Sequence, residues 1–435
     1  MLKILRLLLI VNLTFAYSEL IHAEGFQTAG IASAHPLATK AGYEILEQGG
    51  NAFDATVTVS AVLSVVEPYS SGLGGGGFFL LHSIEKDESI FIDAREKAPS
   101  MANRDMYLDE NGDVLRTASL NGPLASGIPG LPAALHHVSN KHGSMPLYKL
   151  LQPAIRLARE GFPAYERLIT ALTVAERSRT LSPKFKAVFM PNGKLPNVGE
   201  IIKQPELAKT LEIIASSGHE GFYSSFFTET MVQEARQDGS IWLEEDFKNY
   251  SVVEREPITI NFLGAQLTTA PPPSSGGTTI ATILNIISEF DFSGMETSAR
   301  AHLIVEAMRR AYRDRAFYLG DPDFVDIPIS KLISKEHALD LAQSIDMDAA
   351  TPIHKDDQLD GKLAWNEGAH TSHFSILDMN GNRAAVTQTI NTWFGSGYML
   401  PSSGLILNNE MDDFSAKPFA PNRYGLVHGE QNSIQ

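Results

Sequence analysis

The chain has 435 residues, 51 Asp plus Glu against 35 Lys plus Arg, a formal net charge of -16, thirteen His and no cysteine. Without cysteine there is no disulfide framework, thiol nucleophile, iron–sulfur cluster or thiolate zinc site, and the acidic balance excludes a nucleic-acid binder, which needs a basic face. At 43% hydrophobic and 9% aromatic residues this is an ordinary globular composition, able to bury a large core and dependent on packing for its stability.

Lys3 and Arg6 precede the apolar run Leu7 to Leu13, and small residues follow at Ala16 and Ala23. That is the pattern of a secretory signal peptide over residues 1–23, which places the mature protein, starting near Glu24, in a secreted or periplasmic location. The run is shorter than the roughly 20 residues a membrane span needs, and no later segment is long and apolar enough to span. Pro36 to Gln48 has helical spacing in Ala41, Ile45 and Leu46, with Gly49-Gly50 as the stop. Ala55 to Val66 is apolar and rich in Val and Thr, and reads equally as a buried helix or a strand. Gly72 to Gly77 satisfies G-x-G-x-x-G, yet Phe78 to His82 reads as a strand where a dinucleotide site needs a helix. These glycines are expected instead to let the backbone pass close to another backbone or to a ligand.

Ser89 to Asp93 reads as a second strand, and Lys97 to Gly127 as a polar, turn-rich excursion. Leu147 to Glu160 and Ala299 to Tyr318 read as helices, the second carrying Arg309, Arg310, Arg313 and Arg315 on a face expected to be solvated or salt-bridged. Pro271 to Gly277 lies between the strand-like Gln266 to Thr269 and the helix-like Ile280 to Phe290, and is too short to separate two domains. Ser83-Ile84-Glu85-Lys86 fits S-x-x-K without its partner motifs. His136-His137, and His370 with His373, lack a metal-ligand spacing and are expected to be structural.

Thr371 to Leu377 alternates, Asp378 to Asn382 carries a turn signal, and Arg383 to Thr389 alternates again, which is a β-hairpin. A two-residue loop at Asn380-Gly381 would set Phe374 opposite Thr387 and mix the faces. A three-residue loop with Gly381 left-handed sets Phe374 opposite Val386 and Ile376 opposite Ala384 on one face, and Thr371 opposite Thr389 and His373 opposite Thr387 on the other. The second register sorts polar from apolar everywhere. It places two threonine hydroxyls side by side, with Cβ atoms about 5 Å apart. Such a pair is chemically suggestive only if one threonine is activated, and a known means is the threonine's own α-amine, which for Thr371 requires cutting the chain after His370.

Thr371-Ser372-His373, Thr389-Ile390-Asn391-Thr392 and Asn408 to Ser415, with Gly72 to Gly77, Asp93 to Glu96 and Pro271 to Gly277, resemble the γ-glutamyltransferases (glutathione hydrolases) from about Thr28 to the end of the chain. The resemblance implies an α+β, four-layer αββα sandwich of the N-terminal-nucleophile hydrolase type. It implies a precursor that cuts itself between His370 and Thr371 into a large part, residues 24–370, and a small part, residues 371–435, which stay together. Thr371 resembles the residue that performs self-cleavage and then serves as nucleophile, and Thr389 the threonine that supports it. Arg95 resembles the arginine that grips the substrate α-carboxylate, a role suited to a guanidinium. Asn391, Glu410 and Asp413 resemble the residues that hold the α-ammonium group, and Tyr424, within Pro418 to Gly429, belongs to a loop similar to the lid of bacterial members. Ser372 stands where many members have threonine. The implied partners are glutathione and other γ-glutamyl compounds, with water or an amino acid or peptide as acceptor, and no cofactor is implied.

The stretch from Thr371 to Gln435 is shorter than the family's small subunit, and the family's serine pair and its oxyanion-hole glycine pair lie past Gln435. The expectation is a fragment with its last strands missing, or a truncated relative that does not process and at most binds γ-glutamyl compounds. A same-fold cephalosporin-type acylase is the further alternative, against which Arg95 with Asp413 argues because together they read an amino-acid head group.

Overall fold

The computed structural model describes residues 28–352, 370–418, 420–426 and 428–434. The segment read as a signal peptide, 1–23, and the first residues of the large part lie outside them. The centre is a six-stranded antiparallel sheet made of β1 (Gly30–Ala32), β2 (Gly76–Ser83), β3 (Glu88–Ala94), β4 (Val253–Arg255), β7 (Thr371–Leu377) and β8 (Arg383–Thr389). Its spatial order is β1-β7-β8-β2-β3-β4. The hairpin β7–β8 has the register that face-sorting requires: Phe374 opposite Val386, Ile376 opposite Ala384, His373 opposite Thr387 and Thr371 opposite Thr389. Gly381 takes φ +97° in the turn, and Asp378 Oδ1 accepts from Asn380 N and Asn382 N at 2.9 and 3.0 Å. Phe374, Ile376, Ala384 and Val386 are buried.

Helices α1 (Pro36–Glu47), α2 (Ala52–Val66), α3 (Leu131–Lys141), α4 (Leu147–Glu160), α5 (Glu166–Ser178) and α6 (Pro205–Tyr223) contribute with this sheet to one continuous core. The Val- and Thr-rich run is helix α2, and all fifteen of its residues are buried. Two features decide helix over strand. Asn51 and Asp54 form a capping box that satisfies the first amides, and Thr56 Oγ1 returns its proton to Ala52 O at 2.8 Å, hiding a hydroxyl that burial would otherwise penalise. Asp54 also accepts from Ser144 N and Oγ and from Met145 N. Ser60 Oγ donates to Gln388 Oε1, while Gln388 Nε2 returns a bond to Ser60 O at 3.2 Å, so α2 braces β8 from beneath.

The glycine run is a turn leading into β2, with no helix after it. A Cβ on Gly75 would overlap Thr389 O and lie 2.7 Å from Ile390 Cγ2, and one on Gly76 would lie 2.5 Å from Ala94 O. The close approach expected of these glycines is therefore to neighbouring strands.

A second set of elements comprises the hairpin β5 (Ile258–Phe262) and β6 (Ala265–Thr269), with α7 (Ser275–Ser288), α8 (Thr297–Tyr318) and α9 (Lys335–Gln343). Ile258, Ile260 and Ala281 pack together, as do Ile286, Ile287, Ala307, Ala338 and Ala342. Helix α7 starts five residues before the Ile280 expected from hydrophobic spacing, because Ser274 Oγ caps Gly276 N at 3.3 Å and Gly277 fits against Ala270 O. On α8, Arg309 and Arg310 pair with the buried Glu306, as expected of that face. Arg315 departs from it: the side chain is 8% exposed and bonds Ser275 Oγ at 3.0 Å and His428 Nε2 at 2.7 Å. Helical spacing cannot single out Arg315, since it is the packing of α7 and the loop after Pro421 that covers it.

Candidate active site

The N-terminal end of β7 and the C-terminal end of β8 bring three reactive groups into one hydrogen-bonded array. Thr371 Oγ1 donates to Thr389 Oγ1 at 3.1 Å, Thr389 Oγ1 donates to His370 O at 3.4 Å, and Asn391 N donates to Thr389 Oγ1 at 2.9 Å. One hydroxyl therefore receives the proton of the Thr371 side chain while directing its own at the His370–Thr371 carbonyl. The array is held by its neighbours. Asn391 adopts φ +71°, and its Nδ2 donates to Asn409 O at 2.8 Å. His370 Nδ1 accepts from Trp393 N at 3.1 Å, and its ring lies 5.4 Å from Trp393 and 5.7 Å from Tyr424. Burial, then Arg179, Arg423 and Arg167, push the His370 imidazole down to about 4, so at neutral pH it is an uncharged acceptor. Tyr424 OH donates to Asn391 O at 2.9 Å, which lays the tyrosine over the array.

Arg95 sits just past β3 and opens onto a cavity of about 330 Å³, also lined by Glu96, Glu410, Asp413, Ser275, Arg315 and His428. Arg95 Nη2 hydrogen-bonds Asp413 Oδ2 at 2.7 Å and is 2.8 Å from Glu410 Oε2, an ion pair without hydrogen-bond alignment. Despite burial, Glu410 and then Asp413 hold the guanidinium firmly charged. Behind it, Tyr250 OH donates to Arg95 O at 2.8 Å and Arg95 N donates to Asp93 Oδ1 at 3.0 Å, which fixes the residue's direction. The carboxylate oxygens of Glu96 and Glu410 are buried and have no hydrogen-bond partner among the described residues. Burial pushes the Glu96 carboxyl up to about 7 and Glu410 well above the usual carboxylate range. Acids outnumber cations six to four in the cavity lining, and Arg95 is the cation that Glu410 and Asp413 contact directly. A zwitterion fits that imbalance, with a carboxylate for Arg95 and an ammonium for the acids.

The structure thus groups Thr371, Thr389, His370, Asn391 and Tyr424 around the 370–371 peptide, and Arg95, Glu410 and Asp413 around the cavity. Segments 389–391 and 408–410 join the two groups through the Asn391–Asn409 bond. Thr371 itself does not line the cavity. Three participants were not singled out in the sequence. Glu67, 3% exposed, accepts from Ser372 Oγ at 2.6 Å and from Tyr69 OH at 2.8 Å, tying the residue after Thr371 to the end of α2. Glu96 and Arg179 are the others. The Glu96 signal was present, since it adjoins Arg95 in Asp93-Ala94-Arg95-Glu96. Glu67 and Arg179 carried no local pattern.

The histidines behave structurally where described: His373 Nδ1 bonds Thr387 Oγ1 at 2.8 Å, and His136 lies beside His219, 6.4 Å between rings. His137 departs, joining His142 and Glu254 in a group whose ligand atoms lie within 4.8 Å of one another. Sequence spacing did not reveal this because Glu254 comes from β4.

A family model described as gamma-glutamyltranspeptidase matches residues 38–435. The glutathione hydrolase proenzyme of Escherichia coli (strain K12) is 42% identical over 419 residues, which is 96% of this chain and 72% of that protein. Among solved structures, the Helicobacter pylori gamma-glutamyltranspeptidase superposes with a TM-score of 0.72 at 38% identity, covering 75% of this chain and 95% of the other. A cephalosporin acylase from Bacillus halodurans superposes with a TM-score of 0.78 at 27% identity, covering 94% of this chain and 73% of the other. The fold is the α+β, N-terminal-nucleophile hydrolase type that these proteins share. The acylase overlaps more of the chain but matches fewer of its residues, so the acylase alternative is not favoured.

Proposed function

Because this chain belongs to the gamma-glutamyltranspeptidase family, we propose that it cuts itself between His370 and Thr371 and then cleaves γ-glutamyl amides such as glutathione, passing the acyl group to water or to an amino acid or peptide. The observation that carries this reading is the Thr371–Thr389–His370 array. In self-cleavage, Thr371 Oγ attacks the His370 carbonyl carbon as its hydroxyl proton passes to Thr389, whose own proton goes to the developing oxyanion. The tetrahedral centre then collapses: that proton moves on to the Thr371 nitrogen, the C–N bond breaks, the acyl group is left on oxygen, and water hydrolyses the ester. His370 is left with a carboxylate and Thr371 with a free α-amine.

That amine, with a reference pKa of about 7.7 to 8, is the base of the mature enzyme. It accepts the Thr371 hydroxyl proton as Oγ attacks the γ-carbonyl carbon, and returns the proton to the departing amine. Water or an acceptor amine then attacks the threonyl ester. Arg95 takes the substrate α-carboxylate, and Asn391, Glu410 and Asp413 take the α-ammonium group. Tyr424 closes over the bound head group. The division into 24–370 and 371–435, and a leader at 1–23 directing the protein out of the cytoplasm, belong to the same reading.

Gel electrophoresis of the purified chain, followed by hydrolysis of γ-glutamyl-p-nitroanilide, tests the proposal. Two bands that collapse to one in Thr371→Ala, with anilide hydrolysis lost alongside, support it. A wild-type chain that stays whole and releases no nitroaniline overturns it.

A further inference from the structure

The charge around the 370–371 peptide is uneven in a way the proposed chemistry leaves unused. On the Arg95 side the cavity lining holds six acids against four cations. On the His370 side lie Arg179, Arg423 and Arg167, all close enough to depress the His370 imidazole. Arg179 follows α5 and reaches under the loop after β8, where its Nη2 donates to Thr392 Oγ1 at 3.1 Å and its Nη1 to Gly395 O. Its buried Nε has no partner. Among the described residues neither Arg179 nor Arg423 has a carboxylate partner. In a chain of net charge -16 a half-buried cation without an anion is conspicuous, because desolvation without a partner is costly. Burial and then Arg423 pull the Arg179 guanidinium down to about 10, the direction that an absent counter-ion produces.

Tyr424 and its loop touch both regions. Its hydroxyl bonds Asn391 O and its ring meets His370, while Asn422, two residues before it, donates from Nδ2 to Asp413 Oδ1 at 3.2 Å. The site is therefore bipolar, with Thr371 and Thr389 between an end suited to a zwitterion and an end suited to an anion. A γ-glutamyl dipeptide has that charge pattern: a zwitterionic head, the reacting amide, and a terminal carboxylate about 7 Å further on, two residues at extended spacing.

We infer that Arg179, with Arg423, forms a carboxylate subsite on the leaving-group side of Thr371, which receives the C-terminal carboxylate of the peptide released from, or added to, the γ-glutamyl group. The inference rests on the function proposed above. A guanidinium already held by Thr392 and Gly395 is pre-oriented, so little side-chain entropy is lost when the anion arrives.

The test is a ratio. For the cleaved enzyme, kcat/KM is measured for glutathione and for glutathione carrying a C-terminal amide. Wild type is expected to prefer the acid by about 10- to 100-fold, the scale of one buried charge-assisted pair. In Arg179→Gln the ratio is expected to fall to near 1, carried by KM, with Arg179→Lys recovering part of it. Arg423→Gln is expected to lower the ratio by a smaller factor. A purely structural Arg179 would depress both substrates together and leave the ratio intact, which overturns the inference. A wild-type ratio near 1 overturns it without any variant. So does an Arg179→Gln chain whose self-cleavage slows while its ratio is unchanged, since the carboxylate held would then be that of His370. Failure of the underlying function is distinguishable, because wild type would then release no nitroaniline from the anilide, which lacks a carboxylate on its leaving group.

Discussion

Gly75→Ala puts the link between packing and chemistry under strain at one atom. Gly75 lies just before β2, and Thr389, whose hydroxyl organises the site, pairs with Gly76 on one side and Thr371 on the other. The new methyl would overlap Thr389 O and sit 2.9 Å from the Thr389 carbonyl carbon and 2.7 Å from Ile390 Cγ2. Ordinary carbon contacts need about 3.5 to 4 Å, so the end of β8 must retreat by about 0.6 to 1.3 Å. Gly75 cannot move the other way, because its carbonyl accepts from both Gly130 N and Leu131 N at 2.9 Å. The bonds at stake are 3.1 Å from Thr371 and 3.4 Å to His370 O, and neither survives such a shift as a useful hydrogen bond. Overpacking of this kind costs about 1–3 kcal/mol of stability, small enough to leave the chain folded. A misplacement near 1 Å costs on the order of 100-fold in rate. The assay is the first-order rate of appearance of the 371–435 band, run beside a urea unfolding curve, with Gly30→Ala as control, since a Cβ there meets nothing within 4 Å. A folded Gly75→Ala chain that cleaves at the wild-type rate would refute the claim that Thr389 must be held within fractions of an ångström.

Other expectations follow from the same structure. Thr389→Val leaves Asn391 N without its acceptor and His370 O without a donor, so self-cleavage should slow on the order of 100-fold, while Thr389→Ser stays within about tenfold; equal rates for Val and wild type would rule out the hydroxyl. Burial holds the Glu96 carboxyl up at about 7 against an ordinary 4.5, so the folded state binds more protons in that window and loses stability as pH rises through it. Glu96→Gln has no charge to bury, and its advantage in unfolding free energy from urea titration should grow from nothing at acid pH to on the order of 1–3 kcal/mol above pH 8; a pH-independent difference contradicts the account. Asp54→Ala removes the acceptor of the part-buried amides of Asn51, Ser144 and Met145 and should cost on the order of 1–3 kcal/mol; no measurable loss would mean that water or rearrangement replaces the carboxylate.

Legibility in the sequence followed the range of the interaction. The β7–β8 hairpin could be read to the residue, because turn chemistry and a period-2 pattern within 19 positions leave one self-consistent register. Helix α2 could not be assigned, since Val and Thr favour strands locally and it is the capping box at Asn51 and Asp54, with the Thr56 bond to Ala52 O, that decides otherwise. Arg95 and Asp413 were found through resemblance, but their direct contact spans 318 positions and no local rule implies it. Glu67 and Arg179 escaped notice, and Arg315 was expected on a solvated or salt-bridged face, because what distinguishes each is enclosure by distant segments, which leaves no trace in its neighbours along the chain.

The strand order has a consequence for what a cut after His370 would do. Strands β7 and β8, from beyond the cut, are woven between β1 and β2, from before it. Severing one peptide bond would therefore release nothing: each piece lies in the other's hydrogen-bonded ladder, and separating them means opening the sheet on both flanks at once. The nicked molecule should run as one body until it unfolds and as two thereafter. Pieces made separately would have to insert a finished hairpin into a gap that exists only when it is already filled. In such a weave the uninterrupted chain is the assembly instruction, needed once and then dispensable.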